Sequence, residues 1–194
     1  MFQEEISKEE ILDLPLKRFE GEVVVIENVE DLNSIIDELR REPVLGFDAE
    51  TKPNFKKGVS NNNMVALLQL SSAKKAYLIR LNIIGLPQVI ADILADESIV
   101  KIGVAIKEDI RGLRKLNEFT PGSFLDLQTY VKAFGIKNSS LKKLTAIILN
   151  FRISKSQQLS NWEGKPLKEK QIQYAATDAW VCIRIYEMLR LSIN

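Results

Sequence analysis

The sequence predicts an α/β or α+β domain built around one mixed β-sheet, and three observations predict it. Short β-branched and apolar runs crowd the first half of the chain. Apolar residues at helical spacing dominate the second half. No linker, internal repeat or low-complexity tract divides the two, and 194 residues suit one domain with a closed core.

Residues 1–21, opening MFQEEISKEE, read as an N-terminal arm, and the domain proper is expected over 22–194. The run EVVVIE, Glu22–Glu27, is β-branched and predicts a strand. Val29, Leu32, Ile35, Ile36 and Leu39 then recur at helical spacing, so a helix is expected over Asn28–Arg41, stopped by Pro43. Val44–Ala49 is a second apolar strand, and Met64–Leu70 and Ala76–Leu81 read as hairpin partners. A helix over Pro87–Leu94, a strand over Ile99–Gly103 and a helix over Lys107–Leu116 follow. Three more helices are expected over Asp126–Phe134, Ser140–Leu149 and Leu167–Leu191.

Two absences narrow the chemistry. There is no histidine, which removes histidine triads, histidine general bases and histidine zinc sites. There is one cysteine, Cys182, so no disulfide framework and no multi-cysteine metal site. The acidic, polar N-terminus is not a secretory signal, and no apolar run reaches the roughly 18–20 residues of a membrane span. A cytoplasmic protein that engages no membrane is the expectation. Lys plus Arg is 27 against 26 for Asp plus Glu, a formal charge of +1. A nucleic-acid binder with this balance must gather its basic groups locally.

The carboxylates carry the chemical signal. In VLGFDAET an apolar strand ends on Asp48 and Glu50, which strand alternation places on one face. Either the strand end lies in water, or a cation offsets the pair: Arg, Lys, or Mg²⁺ or Mn²⁺ with hard oxygen ligands. Asp178 lies in QYAATDAWVCIRIYEML, and its helical neighbours at three and four residues are Tyr174, Ala175, Val181 and Cys182. None is a cation, so this aspartate finds a distant partner, is protonated, or binds metal. Tyr174 sits one turn earlier on the same face, as a catalytic hydroxyl or as a core tyrosine bonded to its aspartate. Asp109 in KIGVAIKEDIRGL falls in a first helical turn, where the helix dipole alone favours an acid. Gln69 and Cys182 read as core residues.

In combination these residues form an ordered set. The chain resembles the DEDD exonucleases, in the subgroup with tyrosine in its third motif. Asp48 and Glu50 match the first motif, Asp-x-Glu; Asp109 matches the second; Tyr174 and Asp178 match the third, Tyr-x-x-x-Asp. The likeness is to exonuclease domains of the Werner-syndrome-protein type. It runs from about residue 22 to 190 and includes GFDAET, MVALLQLSS, KIGVAIKEDIRGL and LSNWEGKPLKEKQIQYAATDAW. The resemblance implies a ribonuclease H-like fold with a five-stranded mixed sheet flanked by helices. It also implies two divalent cations, Mg²⁺ or Mn²⁺, about 4 Å apart and held by Asp48, Glu50, Asp109 and Asp178. Tyr174 would orient the attacking water, and nucleoside 5′-monophosphates would leave one at a time from the 3′ end.

The expected substrate is a DNA or RNA 3′ end, with DNA favoured. Thr51, Lys52, Lys56 and Lys57 follow the first motif and are candidate backbone contacts. Arg111, Arg114 and Lys115 flank the second motif, and Arg152 and Lys155 precede the SNW segment. Trp162 either packs in the core or stacks on a base. These 194 residues hold no helicase and no C-terminal helical domain of the ribonuclease D kind, so a separate helicase or repair protein is the expected partner. The competing readings are RNA 3′-end trimming like ribonuclease D, a non-catalytic nucleic-acid-binding module on the same fold, and a structural scaffold.

Overall fold

The computed structural model describes residues 2–53 and 63–193. A short helix α1 (Lys8–Asp13) precedes β1 (Glu22–Ile26), α2 (Val29–Arg41), β2 (Val44–Thr51), β3 (Val65–Ser71) and β4 (Lys75–Ile79). Then come α3 (Leu81–Ile84), α4 (Gln88–Ala95), β5 (Val100–Gly103), α5 (Lys107–Arg114) and β6 (Phe124–Asp126). The chain closes with α6 (Leu127–Tyr130), a 3₁₀ turn over Val131–Phe134, α7 (Leu141–Leu149) and the long α8 (Glu169–Leu191).

Among the described residues the sheet has six strands in the order β1-β4-β3-β2-β5-β6. β3 lies antiparallel between β2 and β4, while β1 joins β4, β5 joins β2 and β6 joins β5 in parallel. The mixed sheet is as expected, but its count is six and not five. The sixth strand, Phe124–Asp126, has three half-buried residues, too few for alternation to register. Its last residue is also where the helix expected from Asp126 starts. The Asp126 side chain accepts the Gln128 N–H at 2.9 Å, capping α6, and the rest of that stretch tightens into the 3₁₀ turn.

Strand alternation decides what each face carries. Leu45 and Phe47 of β2, with Leu68 and Leu70 of β3, pack into a core shared with α2 and α4. The opposite face receives α8, whose Ala175, Ala176 and Ala179 are fully buried. Small residues let helix and sheet approach closely: a Cβ at Gly46 would overlap the Ala179 carbonyl oxygen. That approach brings the middle of α8 against the end of β2. α7 covers the next stretch, with Leu144 and Ile148 against Cys182, Ile185 and Leu189. Among the described residues no helix is long and apolar enough to cross a membrane.

Candidate active site

Because Gly46, Asp48 and Glu50 share a face, the close approach of α8 sets Asp178 beside both carboxylates. One carboxylate oxygen from each of Asp48, Glu50 and Asp178 lies within 4.8 Å of the other two. Burial pushes all three acids above the ordinary carboxylate range, and neighbouring negative charge pushes Glu50 and Asp178 further. Asp109, in the first turn of α5, stands outside that group of three, yet is close enough to feel Asp48. Burial first, then Asp48, Glu108 and Asp126, hold it up at about 8. None of the ion pairs among the described residues involves these four acids.

Tyr174 is half-buried one turn before Asp178, and both line the same cleft. Burial, followed by the negative charges of Asp178 and Glu50, raises its pKa far above neutrality, so it is a proton donor here. Its ring leans on Trp162, with centroids 5.9 Å apart. Asp48, Glu50, Tyr174 and Asp178 form one side of a cleft of about 350 Å³, which Lys142 and Lys155 also line. Carboxylates that crowd together at partly to fully buried positions without a cation are unfavourable by themselves. A hard divalent cation removes that repulsion and prefers such oxygen donors, so the residues present fit a metal site.

A family model described as 3′-5′ exonuclease matches residues 23–194. The chain belongs to the 3′-5′ exonuclease domain family. It is 36% identical over 186 residues to Exonuclease 3′-5′ domain-containing protein 2 of Drosophila melanogaster, covering 91% of this chain and 30% of that protein. It is 31% identical over 193 residues to the bifunctional 3′-5′ exonuclease/ATP-dependent helicase WRN of Mus musculus, covering 91% of this chain and 13% of that protein. The chain thus spans 30% or less of the length of these relatives. The crystal structure of the Aedes aegypti Nibbler EXO domain shares the fold, with a TM-score of 0.80 over 91% of this chain and 92% of that one, at 24% identity.

Around this acidic cluster the remaining candidates fall in different places. Thr51 ends β2, just past an irregularity in the β2–β3 register. Lys52 follows it and pairs with Glu163 at 2.8 Å. Lys56 and Lys57 lie outside the described residues. Trp162 corrects one expectation: it is fully buried among Ala66, Leu67, Leu78, Leu167 and Ala175, so its ring offers no face to a base. Arg111 and Arg114 pair with Glu108 and Glu118, and Arg152 ties down the N-terminal arm through the Leu14 carbonyl oxygen at 3.0 Å.

Several residues beside these carboxylates carried little signal in the sequence. Lys142 is one of two lysines in LKKL, with nothing to distinguish it from a solvated helix residue. Asp126 adds its charge beside Asp109, but its sequence reads as a helix start. Gln69 is paired in register with Asp48, fully buried, and has no hydrogen-bond partner for either amide atom among the described residues. A polar residue inside the apolar run VALLQLS was the one available hint.

Proposed function

We propose that the chain is a metal-dependent 3′→5′ exonuclease that hydrolyses the terminal phosphodiester bond of a nucleic acid and releases a nucleoside 5′-monophosphate. The convergence of Asp48, Glu50 and Asp178 with the Tyr174 hydroxyl in one cleft supports this reading above all. Asp48, Glu50 and Asp178 would hold divalent metal, with Asp109 contributing from α5; Mg²⁺ and Mn²⁺ suit an all-oxygen donor set. When bound, such ions supply hydroxide at neutral pH and offset charge on the phosphate and the leaving 3′ oxygen.

The chain's own groups do the rest. Burial keeps Tyr174 protonated, so it donates a hydrogen bond and fixes the direction of the attacking water. Lys142 and Lys155, also in the cleft, offer positive charge to phosphate oxygens. Asp178 lies one turn from Tyr174 along α8, so the proposed metal ligand and water-orienting group share one rigid element. DNA is proposed as the substrate on the strength of the Werner-type motifs. A separate helicase or repair protein as partner, and a cytoplasmic setting, belong to the same proposal.

The test is a time course on 5′-labelled DNA and RNA of one sequence, single-stranded and recessed, with Mg²⁺ or Mn²⁺. A ladder shrinking one nucleotide at a time from the 3′ end, abolished by EDTA, is expected. Undiminished hydrolysis in excess chelator, or internal cleavage, overturns the reading. Faster digestion of RNA than of DNA replaces the substrate assignment with RNA trimming.

A further inference from the structure

A second cleft, of about 900 Å³, runs beside the catalytic one along α8. The two share Ser154 and Tyr174 in their linings, so they adjoin at the proposed water-orienting tyrosine. One wall is the stripe of α8 from Glu169 to Trp180; the other is the N-terminal arm at residues 16–20.

The arm is built into this wall. Leu16 bridges Arg152 in parallel, Lys17 donates its N–H to the Arg152 carbonyl at 2.9 Å, and Arg152 donates to Pro15 at 2.9 Å. Two residues on, Phe19 donates its N–H to the Thr177 hydroxyl at 3.0 Å, and its carbonyl accepts from the Gln173 amide at 2.5 Å. The Phe19 ring is buried against Trp180 and Ala176. Lys17 and Arg18 therefore lie between two pinned points, with exposed side chains. Lys170 stands in the opposite wall, and none of the three has an ion-pair partner among the described residues.

We propose that this groove carries the single strand that leads to the catalytic centre, with phosphates of the nucleotides 5′ to the terminal one against Lys17, Arg18 and Lys170. The inference rests on the exonuclease reading above. Two carboxylates, Glu20 and Glu169, line the same groove and reduce its positive charge, so the contact is of moderate strength. Three cations along one channel suit one phosphate backbone, not the two of a duplex. The arm is hydrogen-bonded in place beforehand, so its cations meet phosphate with little further ordering cost. From Glu169 to Trp180 α8 advances about 16 Å at ~1.5 Å per residue, the length of about four to five stacked nucleotides at ~3.4 Å each.

The test combines binding and kinetics on single-stranded oligonucleotides of three to twelve nucleotides. In Ca²⁺, a triple variant Lys17→Ala, Arg18→Ala, Lys170→Ala is expected to bind the twelve-mer about ten-fold or more weakly. The slope of log affinity against log salt should drop by about 2, at roughly 0.7 per phosphate contact. In the wild type with Mg²⁺ or Mn²⁺, KM should fall with length until about five nucleotides lie beyond the terminal one; in the triple variant KM should stop depending on length, with kcat little altered. A double variant Glu20→Gln, Glu169→Gln should move affinity the other way, about three-fold tighter. A triple variant that keeps the wild-type length dependence and salt slope overturns the groove, while absence of any ladder from the wild type overturns the exonuclease reading instead. An acidic peptide that displaces the twelve-mer from the wild type at equal charge concentration would assign the groove to a protein segment and also overturn the proposal.

Discussion

Arg80 is a fully buried charge and the carboxylates of the cleft are half-buried to buried ones held by the same sheet, and they are treated in opposite ways. The fully buried Arg80 guanidinium donates to Glu27 at 2.8 Å, to the Gly164 carbonyl at 2.6 Å and to Asn82 at 3.4 Å. Lys101, also fully buried, donates to the Asp96 carbonyl at 2.6 Å and lies over the Phe124 ring. These cations have partners of opposite polarity in the chain itself, and they tie segments together. Asp48, Glu50 and Asp178 have chiefly one another. Satisfied buried charge is scaffold; like charges gathered without a counter-ion are a standing cost to the fold that binding a cation removes.

The largest expected effect breaks the comparison at the cleft. Asp48→Ala should lower the exonuclease rate by about 10⁴-fold or more, because metal ligands act as a unit. In EDTA the same variant should melt at a higher temperature than the wild type, since one repelling charge is gone. A melt in chelator beside a single-turnover assay checks both. A variant that kept both its rate and its melting temperature would remove Asp48 from the ligand set.

The pH dependence of stability comes next. Asp109 is held at about 8, and Asp48, Glu50 and Asp178 are also raised, so the metal-free folded state binds protons more tightly than the unfolded chain. Their contribution is fully present below the ordinary carboxylate range near pH 4 and is lost progressively as pH rises through about 7 for Asp48, about 8 for Asp109 and about 10 for Glu50. Melting in EDTA should therefore fall between about pH 5 and pH 8, by on the order of 10 °C for a few kcal/mol. Added Mg²⁺ or Mn²⁺ should reverse the trend, because the metal binds the ionised carboxylates. A flat metal-free profile would mean that the acids are hydrated and already ionised.

The smallest effect sharpens the scaffold side. Arg80→Met keeps much of the side chain's volume but leaves the Gly164 carbonyl without this donor, while half-exposed Glu27 can turn to water. A loss of about 2 kcal/mol is expected, read as a lower urea midpoint with unchanged slope. If Arg80→Met were neutral, its buried ion pair would be no more than a substitute for apolar packing.

Much of the fold was legible because local patterns and tertiary structure agree. The helix at Val29–Arg41 and the strands at Glu22–Ile26 and Val44–Thr51 follow directly from their periodicity. Phe124–Asp126 was not legible, since three residues become a strand only when β5 lies alongside. The acidic residues stood out for a physical reason: a carboxylate at the end of an apolar strand, or on an apolar helix face, conflicts with burial wherever no local cation is available. Lys142 and Lys155 raise no such conflict on their own segments. Their significance depends on what lies across from them.

By itself the sequence determined which residues could carry the chemistry, because residue type and spacing along one strand or one helix fix which side chains share a face. It placed Asp48 with Glu50, and Tyr174 with Asp178, but could not bring the pairs together. That was decided by Gly46, where the missing side chain lets α8 settle against β2. Tertiary structure also decided that Trp162 is core and that the arm becomes a wall pinned by Arg152 and Thr177. Contacts between residues 158 positions apart, such as Phe19 with Thr177, leave no trace in local periodicity. They exist only once burial of the apolar faces has set the distances between elements.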